Sequence, residues 1–463
     1  MVVVLVVIGA AVALIAATKP YPDAWDPRVE PFAAFVEQER GLQFEHPVYV
    51  DFIPDAEFDA LLTDDEGIDG EEAAARQEAY EQYGELLRAL GLHEGPIDLE
   101  AQTDQMYSAG VLAYYSSDDK RVRVKGEQLT PDVEVTLVHE LTHALQDQHF
   151  DLDVLDTAET TSASDAFRTV VEGDAVWVED AYVASLSDAE QDEIDDAESE
   201  GIEEATEASE GVNDALIASF GAPYILGPAY QSLLHAQGGY DEVDRALRTP
   251  PPDEGAIFDP ADQLLGAERE ALPPPDLPEP ADELSEQERL ANTDSLGALT
   301  LFLMLAARID AHEAMAATDL VAGDQLLVFT RDGATCAAID LATASDADGD
   351  DLEDTMQAWA DAMPEEADAS VEREASVVAI ESCDPGPEAE MGITAKGTES
   401  IVLPTTRLYV AAQAIQLGAT DDEALCAAKT TTDALTVEQL ADPDLDLSVF
   451  QQAQRDGLRA CVR

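Results

Sequence analysis

Residues 138–150 read VHELTHALQDQHF, and no other stretch of the chain restricts the fold as strongly. Three of the seven histidines, His139, His143 and His149, fall within eleven positions, with Glu140 beside the first. On a helix, residues four apart are offset by about 40° and 6 Å, so His139 and His143 project from one face and can offer ring nitrogens to a single ion. Zinc takes imidazole nitrogen at about 2.0 to 2.1 Å and in catalytic sites keeps one position open for water. Glu140 flanks that position, where a carboxylate can take a proton from an attacking water and return it to a leaving amine. The flanks suit a buried helix, since Leu137, Leu141, Ala144 and Leu145 are apolar and Thr136 and Thr142 uncharged. Thr130-Pro131 supplies its start, Thr at the cap and Pro in the first turn.

Two histidines leave a third ligand to be found. If the helix continues, His149 is turned about 120° from His143 and lies about 9 Å further along, out of reach of the same ion. ALQDQ contains no Gly or Pro, and a left-handed turn at Gln146 would be strained. The better candidate lies in RTVVEGDAVWVED. There Glu172 stands among Val170, Val171 and the apolar run Ala175 to Val178, on a helix expected over 165–186, where a charge without a cation would be costly. Gly173 admits the close approach of another backbone. Asp174 is either the group that orients a ligand histidine or, in a shifted register, the ligand itself.

TLVHELTHAL resembles the active-site helix of the zincin metallopeptidases. That resemblance implies Zn2+ held by His139 and His143, with Glu140 as general base. Metzincins use HExxHxxGxxH; His149 stands at their third histidine, but Gln146 replaces the glycine. Gluzincins take a glutamate from a later helix, the part Glu172 would play. The 28 residues between His143 and Glu172 exceed the thermolysin-type spacing, so the likeness is to gluzincins broadly. HELTHALQDQHFDL, the following EGDA and the PYILG segment at 223–227 are also similar to uncharacterised, membrane-anchored zinc peptidases of bacteria.

The resemblance implies an α+β fold, with a small antiparallel sheet and active-site helices forming a zincin-like catalytic domain over 28–265. Peptide substrate would add as a strand along a sheet edge, for which GVLAYYSS (110–117) is placed. A donor to the developing oxyanion is also expected, from Tyr224, His235 or Tyr230. Tyr224 is preferred because it stands beside Pro223 at an expected helix start.

The remaining chain sets the context. Residues 1–18 begin with an uninterrupted apolar run and are expected to be a membrane anchor, or alternatively a signal segment; both put the rest outside the cytosol. The four cysteines fit that compartment, with pairing of Cys336 with Cys383 and Cys426 with Cys461 expected, and no CxxC is present. A Pro-rich linker over 266–294, a small α+β unit over 295–384 and a helical, disulfide-linked module over 400–463 complete the organisation. Residues 187–211 are acidic and expected to be a solvated helix or disordered. The formal net charge is −77, from 100 acidic and 23 basic residues of which five are Lys, which reads as adaptation to high salt, or alternatively as an ordinary acidic secreted protein, and argues against nucleic acid as a partner. The partners expected are a peptide or protein substrate and, through the N-terminus, a membrane. The sequence leaves two function classes: a zinc-dependent peptidase, or a non-enzymatic cell-surface interaction protein on a zinc-stabilised fold, which has no need of Glu140.

Overall fold

The computed structural model describes residues 19–62, 70–108, 111–266, 275–278, 280–281, 284–285, 289–393, 399–442 and 446–461. Among the described residues the first elements are α1 (Glu30–Arg40), β1 (Tyr49–Ile53), α2 (Asp55–Leu62), α3 (Gly70–Ala89) and α4 (Leu99–Ser108). Strands β2 (Ala113–Ser116) and β3 (Arg121–Lys125) lead into α5 (Pro131–Phe150), α6 (Val154–Thr157) and α7 (Thr161–Ser185). Five helices follow: α8 (Asp188–Ala208), α9 (Asp214–Gly238), α10 (Tyr240–Arg248), α11 (Gly255–Phe258) and α12 (Pro260–Leu265). The middle of the chain holds β4 (Arg289–Asp294), α13 (Ala298–Ala306), α14 (Ala311–Thr318), β5 (Val321–Arg331), β6 (Ala334–Thr343), α15 (Asp346–Ala362), β7 (Ser370–Glu374) and β8 (Val377–Cys383). It ends with α16 (Val402–Gln416), α17 (Asp421–Asp433), α18 (Val437–Leu440) and α19 (Leu447–Cys461). The fold class is α+β, as expected.

The first sheet has the order β1-β3-β2. RVRVK alternates, so Val122 and Val124 of the central strand are fully buried while Arg121, Arg123 and Lys125 lie on the opposite, partly exposed face. β2 pairs antiparallel with β3, Tyr115 opposite Val122, whereas β1 adds in parallel, Tyr49 opposite Arg121. Because the Lys125 amide donates to the Leu112 carbonyl at 2.8 Å, the ladder bonds fall at alternate residues and the amides of Ala113 and Tyr115 point away from β3. β2 is therefore an edge strand whose outward groups face α5.

α5 runs without a break from Pro131 to Phe150 and closes at Asp151, whose φ of 63° is left-handed. Thr130 precedes it in extended conformation and makes no side-chain cap bond. The unbroken helix carries His149 off the ligand face; its Nε2 donates to the Gln43 carbonyl at 2.8 Å and packs the helix end. α7 starts earlier than expected, at Thr161, because the Thr160 side chain accepts from the Ala163 amide.

α9 corrects one expectation. It starts at Asp214, capped by Asn213 accepting from the Leu216 amide, so Pro223 and Pro228 lie inside the helix and Tyr224 is not at a helix start. Burial of Ala222, Leu226, Ala229, Leu233 and Leu234 on this helix outweighs the two missing amides. The acidic segment also forms a helix, α8, anchored by the buried Ile194.

The second sheet has the order β4-β5-β6-β8-β7 with every pairing antiparallel. β4 comes from the segment expected as linker; residues 267–274, 279, 282–283 and 286–288 of that segment lie outside the described residues. Cys336 and Cys383 are register partners on β6 and β8 and are bonded, and Cys426 joins α17 to Cys461 of α19. Both pairings are those expected, and they indicate an oxidising, extracytoplasmic setting. The expected anchor at 1–18 lies outside the described residues, and among the described residues no helix is long and apolar enough to cross a membrane.

The apolar interior does not divide where the Pro-rich segment does. Leu86, Phe167 and Leu233 share one core with Phe302, Trp359 and Leu408, which come from all three expected units. A second core, with Val29, Val122, Leu141, Tyr182 and Ile194, lies under the first sheet. α7 contributes to both cores, and the residues expected to bind metal lie where it meets α5.

Candidate metal centre

α5 and α7 pack side by side and bring three donor atoms together. His139 Nε2 and His143 Nε2 are 3.0 Å apart, and Glu172 Oε2 lies 3.1 Å from the first and 3.2 Å from the second. Tetrahedral zinc with bonds of about 2.0 to 2.1 Å sets its ligand atoms about 3.3 to 3.4 Å apart, so this triangle is close to the size one ion requires. Two imidazoles and one carboxylate, with no thiolate, are a donor set that zinc accepts while keeping a fourth position. All three residues are buried. His149 and Asp174 are not part of the group.

Each histidine is held from behind at Nδ1. His139 Nδ1 lies 2.9 Å from Glu179 Oε2, two turns beyond Glu172 on α7. His143 Nδ1 lies 2.9 Å from Gln146 Oε1. The Gln146 amide has only one orientation that fits, because its Nε2 donates to the Val171 carbonyl at 3.0 Å and to Asp174 Oδ2 at 2.9 Å. His143 Nδ1 is therefore the donor to Gln146, and in the neutral ring that a metal would bind Nε2 carries the lone pair. Asp174 in turn accepts from Arg40 Nε at 3.0 Å, and Arg40 also reaches Asp244 at 2.9 Å. The side chains of Arg40 and Asp174 are 1% and 0% exposed, so this pair is a fixed strut between α1 and α7. Asp174 thus sits one residue behind the position expected for it, acting on His143 through Gln146.

The electrostatics follow from burial and close contact. Burial raises the Glu172 carboxyl, but the His143 charge and hydrogen bonds from both histidines outweigh it and hold the group well below the carboxylate range. Burial disfavours charge on His139, yet the hydrogen bonds to Glu172 and Glu179 raise it well above the usual imidazole value. Glu140 is raised, chiefly by burial. Its Oε2 accepts the outward amide of Tyr115 on β2 at 2.6 Å, while Oε1 has no hydrogen bond among the described residues.

α7 and α9 touch through glycine. A Cβ on Gly173 would lie 2.4 Å from the Gly227 carbonyl oxygen, and one on Gly227 would lie 2.7 Å from the Thr169 oxygen. One turn before Gly227, the Tyr224 ring lies over His139 with centroids 6.3 Å apart and 28° between planes. The nearby Glu172 charge is the main reason its hydroxyl is pushed well above the usual phenol value. Tyr224 is 46% exposed, so it stands at the rim. The other two oxyanion candidates are engaged elsewhere. Tyr230 is buried and donates to Gln263 at 3.0 Å, and His235 stacks on Trp177 at 4.0 Å.

Glu179 and Gln146 were not anticipated as parts of the site. Glu179 had a signal in the sequence, lying seven residues beyond Glu172 and so on the same helix face. No family model matches the chain, and no curated protein or solved structure matches it. The zincin reading therefore rests on these residues and their geometry.

Proposed function

We propose that the chain is an extracytoplasmic, zinc-dependent metallopeptidase of gluzincin type that hydrolyses peptide bonds, tethered by its N-terminal segment. The observation that carries this reading is the convergence of His139, His143 and Glu172 within 3.2 Å, with Glu140 adjacent to them on α5. Zinc at that point would supply Lewis acidity toward a carbonyl oxygen and acidify water. Glu140 accepts the proton of the attacking water at Oε1 and passes it to the leaving amine. The Tyr224 hydroxyl, kept protonated beside Glu172, donates to the developing oxyanion. The β2 edge offers backbone groups along which an extended peptide can lie.

One observation favours the non-enzymatic alternative. The Glu140 bond to the Tyr115 amide ties α5 to β2, a purely structural use of the carboxylate. Glu140→Gln separates the two readings. In a peptidase, the variant keeps one zinc per chain and its thermal midpoint while cleavage of a peptide library falls by about a hundredfold or more. In the alternative, wild type and variant both hold one zinc per chain and neither cleaves the library. Loss of zinc in His149→Ala with retention in Glu172→Ala would overturn the ligand set.

A further inference from the structure

In a chain with 100 acidic and 23 basic residues, a cation without a partner is unusual. Most basic side chains form ion pairs, such as Arg88 with Asp384 and Arg407 with Asp319. Arg308, which has no acid in contact, uses the carbonyls of Ala362 and Met391. Among the basic side chains the structure describes, Arg168 alone has neither hydrogen bond nor ion pair. Asp165, three residues earlier, feels its charge without forming an ion pair.

Its position is specific. Arg168 precedes Glu172 by four residues on α7, which places both on one helix face about 6 Å apart along the axis. Its charge also reaches the Tyr224 hydroxyl on α9. Since Gly227 touches the backbone at Thr169 and Gly173, Arg168, Glu172 and Tyr224 surround the same helix crossing. Arg168 is half-buried, and the helix packed against α7, α9, carries the exposed side chains of Tyr224 and Ile225. A guanidinium in such a setting binds carboxylate in a planar, two-pronged fashion.

We propose that Arg168 is a specificity-determining residue that holds a carboxylate of the peptide substrate beside the metal cluster. The proposal rests on the peptidase reading of that cluster. At a net charge of −77 the general field repels an anionic peptide, so acceptance of one requires a local cation. At high salt the field is cut to a Debye length of about 3 Å, whereas a half-buried contact is screened much less. The carboxylate can come from an acidic side chain or from the peptide C-terminus; the chemistry at Arg168 is the same.

The test uses the full chain carrying Glu140→Gln, loaded with zinc, and calorimetric titration at fixed salt with three matched hexapeptides. One has an internal Glu and an amidated end, one has Gln and a free end, and one has Gln and an amidated end. At least one charged peptide is expected to bind about ten- to a hundredfold tighter than the neutral one. That preference should vanish in Arg168→Gln and persist in part in Arg168→Lys, with zinc content unchanged. Preference for the free end marks trimming from the C-terminus, and preference for Glu marks cleavage near acidic residues. Equal binding of all three, no binding of any, or an unchanged preference in Arg168→Gln overturns the proposal. Charge-selective binding with no cleavage by wild type removes the peptidase reading alone, and cleavage without charge preference removes the Arg168 assignment alone.

Discussion

Gln146 decides how His143 meets a metal. With its Nε2 committed to Val171 and Asp174, its oxygen can only accept, and a neutral His143 must present its lone pair to the cluster. Gln146→Leu leaves the His143 Nδ1 donor unmatched and frees the ring to adopt the other tautomer. The expected outcome is a zinc affinity lower by about ten- to a hundredfold in a chelator competition, with stoichiometry still one at saturation. An unchanged affinity would show that packing alone holds the ring. HELTH made two ligands and the base legible because its spacing states a helical geometry. Glu172 was legible as a charge with no other reason to sit among valines. Gln146 and Glu179 were not, because a residue that works by touching another carries no spacing signature of its own. Gln146 drew notice only for failing to break the helix, and its role emerges once α7 lies against it.

At the scale of elements, the site depends on how closely α7 and α9 approach. A Cβ at Gly173 would meet the Gly227 carbonyl at 2.4 Å, backbone against side chain with nothing flexible to yield. Gly173→Ala should therefore part the helices at a cost of about 1 to 3 kcal/mol. Because Glu172 adjoins this contact and Tyr224 lies one turn from it, zinc affinity should fall as well. Gly201→Ala on α8, where an added Cβ meets nothing within 4 Å, is the control and should be neutral or stabilising by up to about 1 kcal/mol. Denaturant midpoints of the two variants check the contrast; equal effects would remove the close-contact argument. The value of Gly173 was readable in advance, but its partner was not, since α9 was expected to begin at Pro223. A proline pair signals a start or a stop by local rules, and only the buried face of α9 shows that tertiary packing overrides them.

At the scale of the molecule, two features of composition act in different ways. Proline richness near residue 275 suggested separate units, but composition reports only that a segment is irregular, not whether the elements on either side merge. Phe167, Phe302 and Leu408 share one core, so the full chain should unfold in a single transition, and residues 28–265 alone should lack the surfaces that cover α9. Coincident loss of helix signal and zinc on titration with denaturant would support this; two resolved steps would not. Charge acts through the solvent. A net −77 gives mutual repulsion over the whole surface, felt over a Debye length of about 10 Å at 0.1 M salt and about 3 Å at 1 M. Screening weakens attractions too, but the ion pairs that brace the site are shielded from it, as Arg40 and Asp174 are at 1% and 0% exposure. Repulsion is therefore what added salt chiefly removes. The thermal midpoint should rise steadily from 0.1 M into the molar range of sodium chloride, in zinc-loaded protein and, with a lower starting point, in protein stripped by chelator. Parallel curves would assign the rise to surface charge and the constant gap between them to the metal cluster. A midpoint that is flat or falls with salt would mean that the acidic surface serves something other than high-salt stability.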